Sequence, residues 1–192
     1  LIPVALALRS GGIFTGHGRL MQRPQQPYFD IFREQGISWT QTADALTVQG
    51  TLHPGTFRLP GNVSSQFVTG LLYALPLLDG ESVIEVTSPL ESHSYVDMTL
   101  EMLHRFGVQV FVEADGQRFR VPGKQVYRAQ TVTIESDWSQ AAFWYAALAL
   151  GSTLDLQGLS LTSTQGDAVV RTHFTQLNRP GDVTIDVSDC PD

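Results

Sequence analysis

The sequence predicts an α/β fold built from repeated β-α-β-α-β-β units, with part of a second such domain towards the end of the chain. Three segments share one pattern, a helix rich in alanine and leucine, a glycine turn and a short β-branched strand. They are residues 1–15, 64–86 and 137–156. The turn glycines Gly12, Gly80 and Gly151 recur about every 70 residues, which is the period of a supersecondary unit.

A second helix recurs at the same step along the chain. Residues 27–35 lead into Gly36, and residues 96–106 lead into Gly107. Glycine at these places is typical of a helix C-terminal cap. Residues 169–177 occupy the matching position in the third copy, so each copy is predicted to contain two helices.

Short β-branched or alternating segments supply the predicted strands. A polar hairpin follows the second helix of the first two copies, and Asp115-Gly116 is a two-residue turn signal in the second hairpin. One further strand precedes the first helix of the second and third copies. The predicted strands are residues 37–42, 45–49, 56–59, 109–113, 118–121 and 131–134.

The bulk composition narrows the class of protein. Apolar residues make up 42% of the chain and charged residues 16%, with a formal charge of -7. These values are typical of a globular protein and argue against both disorder and a nucleic-acid partner. The single cysteine, Cys190, excludes a disulfide framework and favours a reducing, cytoplasmic setting.

No membrane or metal site is expected from the sequence. The longest apolar run, residues 141–150, is too short to span a bilayer and is predicted to be a buried helix. The histidines lack the spacing of metal ligands. We therefore expect neither a membrane partner nor a bound metal.

The strongest candidate site begins after the strand at residues 56–59. Ser64, Ser65 and Gln66 fall in the first turn of the following helix. Free backbone N–H groups and the positive end of the helix dipole favour an anion there. Two hydroxyls and an amide could hold a phosphate and a sugar-like ring, although serine is also a common N-cap.

Three further clusters carry polar groups that suit a charged ligand. Ser92 and Tyr95 open the next helix, where a capping role is the alternative. Arg23 precedes the equivalent helix of the first copy and could pair with a carboxylate or phosphate, although a lone arginine is often only a surface residue. Residues 186–192 carry three aspartates, which could bind a metal, supply a general base or form a solvated turn, although they lack the glycine and glutamate of a calcium loop.

Taken in order, these segments resemble the EPSP synthases, a branch of the enolpyruvyl transferase family. The resemblance rests on the motifs GNVSSQFVTGLLYALPLLDGESVIEV, LESHSYVDMTLEMLHRFGV, IESDWSQAAFWYAALA, QGDAV and DVSDCPD. It covers nearly the whole chain. The family fold consists of two domains, each an inverse α/β barrel-like assembly of three β-α-β-α-β-β units with the active site between them.

The resemblance implies a reaction and the residues that perform it. It implies transfer of the enolpyruvyl group from phosphoenolpyruvate to the 5-hydroxyl of shikimate 3-phosphate, without a metal or cofactor, in a protein that is monomeric at full length. Ser64, Ser65, Gln66, Ser92 and Tyr95 would bind shikimate 3-phosphate. Arg23 would contact phosphoenolpyruvate, and Asp192 would act as the catalytic acid/base.

The resemblance also implies the domain organisation. Residues 1–134 would form most of one substrate-binding domain, and residues 135–192 the truncated beginning of the second. Residues 134–137 would then be a crossing between domains and a hinge for closure. Residues 178–181 mark a place where the chain is shorter than the family.

Two alternatives stay open from the sequence. One is an enzyme like UDP-N-acetylglucosamine enolpyruvyl transferase, whose mobile-loop cysteine has no equivalent here because Cys190 lies in a different motif. The other is a non-catalytic binding protein of the same fold. The family motifs expected before Leu1 and after Asp192 are absent from this sequence, so we expect the 192-residue chain to bind shikimate 3-phosphate weakly and to be inactive alone.

Overall fold

The computed structural model describes residues 1–113 and 116–187, apart from the side chain of Arg9. Two compact units make up the chain, Leu1–Gln130 and Thr131–Asp192. The first unit contains two copies of the predicted repeat, and the second unit contains two helices of the third copy.

The first copy forms a three-stranded antiparallel sheet with two helices. Its elements are α1 (Ile2–Arg9), β1 (Gly11–Thr15), α2 (Gln26–Gln35), β2 (Ser38–Gln41) and β3 (Ala45–Gln49), with strand order β1-β3-β2. Helix α2 ends at Gly36, whose φ of 68° is in the left-handed region. The Ile37 amide then donates to the Phe32 carbonyl at 2.8 Å, so the predicted glycine cap is confirmed.

The second copy is a complete β-α-β-α-β-β unit, as predicted. Its elements are β4 (Thr56–Leu59), α3 (Ser65–Ala74), β5 (Ser82–Val86), α4 (His93–Arg105), β6 (Phe111–Val112) and β7 (Arg118–Val121). The sheet order is β4-β5-β7-β6, in which β4 and β5 are parallel and the other pairs are antiparallel. Gly107, with φ of 79°, follows α4 as expected, whereas Asp115 of the predicted turn lies outside the described residues.

One apolar core runs through the first unit. It combines the inner faces of both sheets with α1, α2, α3 and α4. The largest fully buried side chains in it include Phe32, Phe57, Leu71, Ile84 and Phe119. Burial of such side chains contributes about 1.5–3 kcal/mol each, so these faces fix the helices against the sheets.

The regular secondary structure of the second unit, among its described residues, consists of helices. It contains α5 (Trp138–Ala149), a short 3-10 turn (Gly166–Val169) and α6 (Val170–Leu177). Asp137 caps α5, because its Oδ1 accepts from the Ser139 amide at 2.8 Å. Both helices of the third copy are therefore present as predicted.

Two expectations for the second unit are wrong. Residues 131–134 and 153–156 are not strands, because β-branched residues favour a strand only where a neighbour takes up their backbone hydrogen bonds. The run 141–150 is not buried along its length: Phe143 in α5 is 73% exposed and Leu150, just after α5, is 88% exposed, since only one face of α5 packs on α6 and the 3-10 turn. None of the described helices is both long and apolar enough to cross a membrane.

Candidate anion-binding site at three helix starts

The parallel pairing of β4 and β5 brings the starts of α3 and α4 together. Leu59 lies opposite Val86 at the carboxyl ends of these strands. Because parallel strands end at the same edge of a sheet, both chains leave for their helices side by side. Ser64–Gln66 and Ser92–Tyr95 therefore lie at the same edge of the unit.

Direct hydrogen bonds join the two loops at this edge. The Glu91 amide donates to the Gly61 carbonyl at 3.1 Å. The Ser88 hydroxyl accepts from the Gly61 amide at 2.9 Å. A Cβ on Gly61 would lie 2.6 Å from the Ser88 carbonyl oxygen, so only glycine allows this close approach of the two backbones.

The start of α2 is attached to the same place by a tyrosine. The Tyr28 hydroxyl donates to the Phe67 carbonyl in the first turn of α3 at 3.1 Å. The rings of Tyr28 and Phe67 also meet edge to face, with their centroids 4.8 Å apart. Arg23, which precedes α2, is thereby carried towards the start of α3.

A cavity of about 910 Å³ lies beside the starts of α2 and α3. Arg23, Ser64 and Gln66 line it together, so the structure places three of the sequence candidates on one surface. Most of the remaining lining is apolar and comes from α1 and α3. Arg23 is the only charged side chain among the described residues that line the cavity, and no described carboxylate forms an ion pair with it.

The other candidates are placed differently. Ser65 is only 5% exposed and, like Ser92 and Tyr95, does not line the cavity. Tyr95 is 40% exposed at the start of α4. Asp192 lies outside the described residues, so the structure says nothing of its position.

The two serines at the helix starts have different structural roles. Ser64 is the N-cap of α3 and accepts from the Gln66 amide at 3.3 Å. Ser92 is the N-cap position of α4, yet its side chain makes no capping bond. Its φ of 52° is in the left-handed region, which a side chain adopts only when its surroundings fix it there. Capping therefore accounts for one hydrogen bond of the Ser64 hydroxyl, and it gives no role to the hydroxyl of Ser92.

The cavity wall also contains tyrosines, which the sequence did not indicate as site residues. Burial raises the pKa of Tyr28 far above its ordinary value. Burial, with a smaller contribution from Tyr73, raises the pKa of Tyr127 to about 12. Both phenols therefore remain protonated donors at neutral pH, and Tyr127 donates to the Tyr73 carbonyl at 2.8 Å.

These tyrosines and Ser88 were missed because their partners are distant in sequence. Tyr28 bonds a carbonyl 39 residues away, and Ser88 bonds amides 26 and 27 residues away. The one sequence signal is that Tyr28 lies in the first turn of the helix that follows Arg23-Pro24. That position faces a neighbouring helix only after the repeat has folded.

The arrangement suits a phosphorylated or carboxylate ligand. Three helix starts, two hydroxyls, an amide and an unpaired guanidinium are held by one unit, and each of these groups favours negative charge. Fold and site together define an α/β protein of repeated β-α-β-α-β-β units, with polar groups suited to an anion at its helix N-termini.

Comparison with known proteins identifies the family. Residues 1–188 match the sequence profile of the family described as EPSP synthase (3-phosphoshikimate 1-carboxyvinyltransferase). The chain belongs to this family. A 3-phosphoshikimate 1-carboxyvinyltransferase of Clostridium kluyveri is 43% identical over 212 residues, covering 100% of this chain and 49% of that protein. One from Clostridium acetobutylicum is 36% identical over 208 residues, covering 100% and 48%.

Solved structures show the same fold. EPSP synthase from Acinetobacter baumannii matches with a TM-score of 0.64 at 23% identity, over 84% of this chain and 37% of that one. The enolpyruvyl transferase NikO from Streptomyces tendae matches with a TM-score of 0.57 at 17% identity, over 77% and 35%. The chain spans about half the length of the curated relatives it matches. The aligned stretches exceed the 192 residues of this chain, so these relatives contain extra residues within them.

Proposed function

We propose that this chain takes part in the transfer of the enolpyruvyl group from phosphoenolpyruvate to the 5-hydroxyl of shikimate 3-phosphate. The 5-hydroxyl gives up its proton as its oxygen bonds to C2 of phosphoenolpyruvate, and the C2–C3 double bond takes up a proton at C3. Loss of a C3 proton and departure of phosphate from C2 then give the enolpyruvyl ether. No metal or cofactor is needed for this balance of atoms.

The observation that carries the proposal is the cavity shared by Arg23, Ser64 and Gln66. Its hydroxyl and amide lie at the start of α3, where a phosphate of shikimate 3-phosphate would meet backbone N–H groups. The planar guanidinium of Arg23 can donate two parallel hydrogen bonds to the phosphate or the carboxylate of phosphoenolpyruvate. The relatives are named 3-phosphoshikimate 1-carboxyvinyltransferase, which supports 3-phosphoshikimate as the acceptor of a carboxyvinyl group.

The remaining candidates complete the proposed site. Ser65, Ser92 and Tyr95 are proposed to contact shikimate 3-phosphate from the same edge of the sheet. Asp192 is proposed as the acid/base that moves protons between substrate oxygen and carbon. We further propose that residues 1–134 belong to one substrate-binding domain and residues 135–192 to the next.

Calorimetry with the 192-residue chain tests the substrate assignment. Shikimate 3-phosphate is expected to bind, and unphosphorylated shikimate at least about tenfold more weakly, because a charge-assisted hydrogen bond contributes about 1.5–3 kcal/mol. UDP-N-acetylglucosamine serves as the competing ligand. Tighter binding of the nucleotide sugar, or equal binding of shikimate and its phosphate, would contradict the proposal.

Alanine at Ser64 and at Ser92 should separate capping from ligand binding. Ser64→Ala is expected to lower the free energy of unfolding by about 0.5–2 kcal/mol, because the cap to the Gln66 amide is lost. Ser92→Ala should change stability by less than about 0.5 kcal/mol, since its side chain caps nothing. Both should weaken shikimate 3-phosphate binding about tenfold in calorimetry. Unchanged affinity in Ser92→Ala would remove Ser92 from the site.

A further inference from the structure

The two halves of the proposed shikimate 3-phosphate site lie on separate loops. Residues 60–64 lead from β4 to Ser64, and residues 87–92 lead from β5 to Ser92. A ligand that contacts both helix starts requires a fixed spacing between these loops. The parallel strands bring the loops together at one edge, but they fix only the points at which the chain leaves the sheet.

One hydroxyl spans the gap between these loops. Ser88 Oγ accepts from the Gly61 amide at 2.9 Å and from the Asn62 amide at 3.3 Å. The same oxygen donates to Asn62 Oδ1 at 3.1 Å. A serine hydroxyl has one donor and two acceptor positions, so Ser88 uses its full hydrogen-bonding capacity on the opposite loop.

The surrounding backbone shows that this contact is tight. Glu91, the residue before Ser92, donates its backbone amide to the Gly61 carbonyl at 3.1 Å. A Cβ on Gly61 would meet the carbonyl oxygens of Ser88 and Pro89 at 2.6 and 2.7 Å. The loops therefore touch backbone to backbone, and the Ser88 hydroxyl takes part in each of the three side-chain hydrogen bonds described between them.

We propose that Ser88 is a positioning residue for shikimate 3-phosphate. It sets the spacing between the start of α3, with Ser64 and Gln66, and the start of α4, with Ser92 and Tyr95. Ser88 touches no substrate itself and acts through the Gly61–Asn62 backbone. The inference rests on the proposed function, because it takes shikimate 3-phosphate as the ligand that bridges the two helix starts.

Four variants of the chain test the proposal by calorimetry with shikimate 3-phosphate. Ser88→Ala should weaken binding about tenfold, since a hydrogen bond contributes about 0.5–1.5 kcal/mol and more than one is lost. Ser88→Thr keeps the hydroxyl and should bind within about twofold of the unmodified chain. Asn62→Ala removes only one of the three hydrogen bonds. Its affinity for shikimate 3-phosphate should lie between those of Ser88→Ala and Ser88→Thr.

Thr87→Ala is the matched control, because Thr87 is the exposed neighbour and its side chain makes no described hydrogen bond. It should bind like the unmodified chain. Ser88→Ala with unchanged affinity and a lower melting temperature would overturn the proposal, because Ser88 would then be only structural. Failure of Ser88→Thr to restore affinity would also overturn it.

Hydrogen exchange of the Gly61 and Asn62 amides separates this inference from the proposed function. In Ser88→Ala both amides should lose protection, whether or not the ligand binds. If the unmodified chain does not bind shikimate 3-phosphate while the amides still depend on Ser88, the substrate assignment is wrong and the loop contact stands. Unchanged protection in Ser88→Ala would overturn the positioning role itself.

Discussion

Gly70→Ala is expected to destabilise the first unit by about 2–3 kcal/mol, although alanine is the better helix former. A Cβ on Gly70 would lie 2.1 Å from the Tyr28 hydroxyl oxygen. Tyr28 is 6% exposed and is held by its bond to the Phe67 carbonyl and its contact with the Phe67 ring, so moving it to relieve the clash would break these contacts. Urea unfolding measures the change.

Removal of the tyrosine hydroxyl should rescue this variant. Without that oxygen the next atoms are Tyr28 Cζ at 3.4 Å and Pro3 Cγ at 3.5 Å, which are ordinary contacts. Tyr28→Phe alone should cost about 0.5–1.5 kcal/mol, and the double variant should be no less stable than Tyr28→Phe. Gly55→Ala is the control, because the nearest atom to its Cβ is Gln35 Nε2 at 4.0 Å. Additive losses in the double variant would show that the clash is not the cause.

Arg23→Gln is expected to lower kcat/KM for phosphoenolpyruvate about a hundredfold or more in an enzyme that contains this chain. Arg23 has the only charged side chain among the described residues that line the cavity, so its loss leaves the ligand charge without a compensating side chain there. The free energy of unfolding should change by less than about 0.5 kcal/mol, because Arg23 is exposed and forms no described ion pair.

Steady-state kinetics with both substrates measure this effect. Arg33→Gln is the matched control, since Arg33 lies on α2 and pairs with Asp30 on the surface at 2.9 Å. A surface pair of this kind contributes only about 0–1 kcal/mol, and the control should keep near-normal activity. Equal losses in both variants, or a loss confined to shikimate 3-phosphate, would contradict the role given to Arg23.

The sequence predicted elements well where neighbouring residues specify them. The predicted strands 45–49, 56–59 and 118–121 coincide with β3, β4 and β7. The glycines after α2 and α4 adopt left-handed backbone angles as expected. Helix caps and alternating strand patterns depend on residues a few positions apart, so they can be predicted without the tertiary structure.

The same reasoning failed where a partner was needed. The segments 131–134 and 153–156 have strand composition but form no strand among the described residues. A strand is stabilised by hydrogen bonds to another strand, which composition does not supply. The apolar pattern of α5 likewise indicated a helix correctly but not which of its faces is covered.

For the site, the sequence by itself predicted the ligand class and the candidate residues at the helix starts. Only the tertiary structure showed that Arg23, Ser64 and Gln66 line one cavity, and that Ser65 is 5% exposed and is not part of its lining. It also showed the hydrogen bonds of Tyr28 and Ser88, because these bonds join segments that are distant in sequence. The physical reason is range: a cap or turn is set by adjacent residues, whereas these contacts exist only after parallel strands and packed helices have brought distant segments within hydrogen-bonding distance.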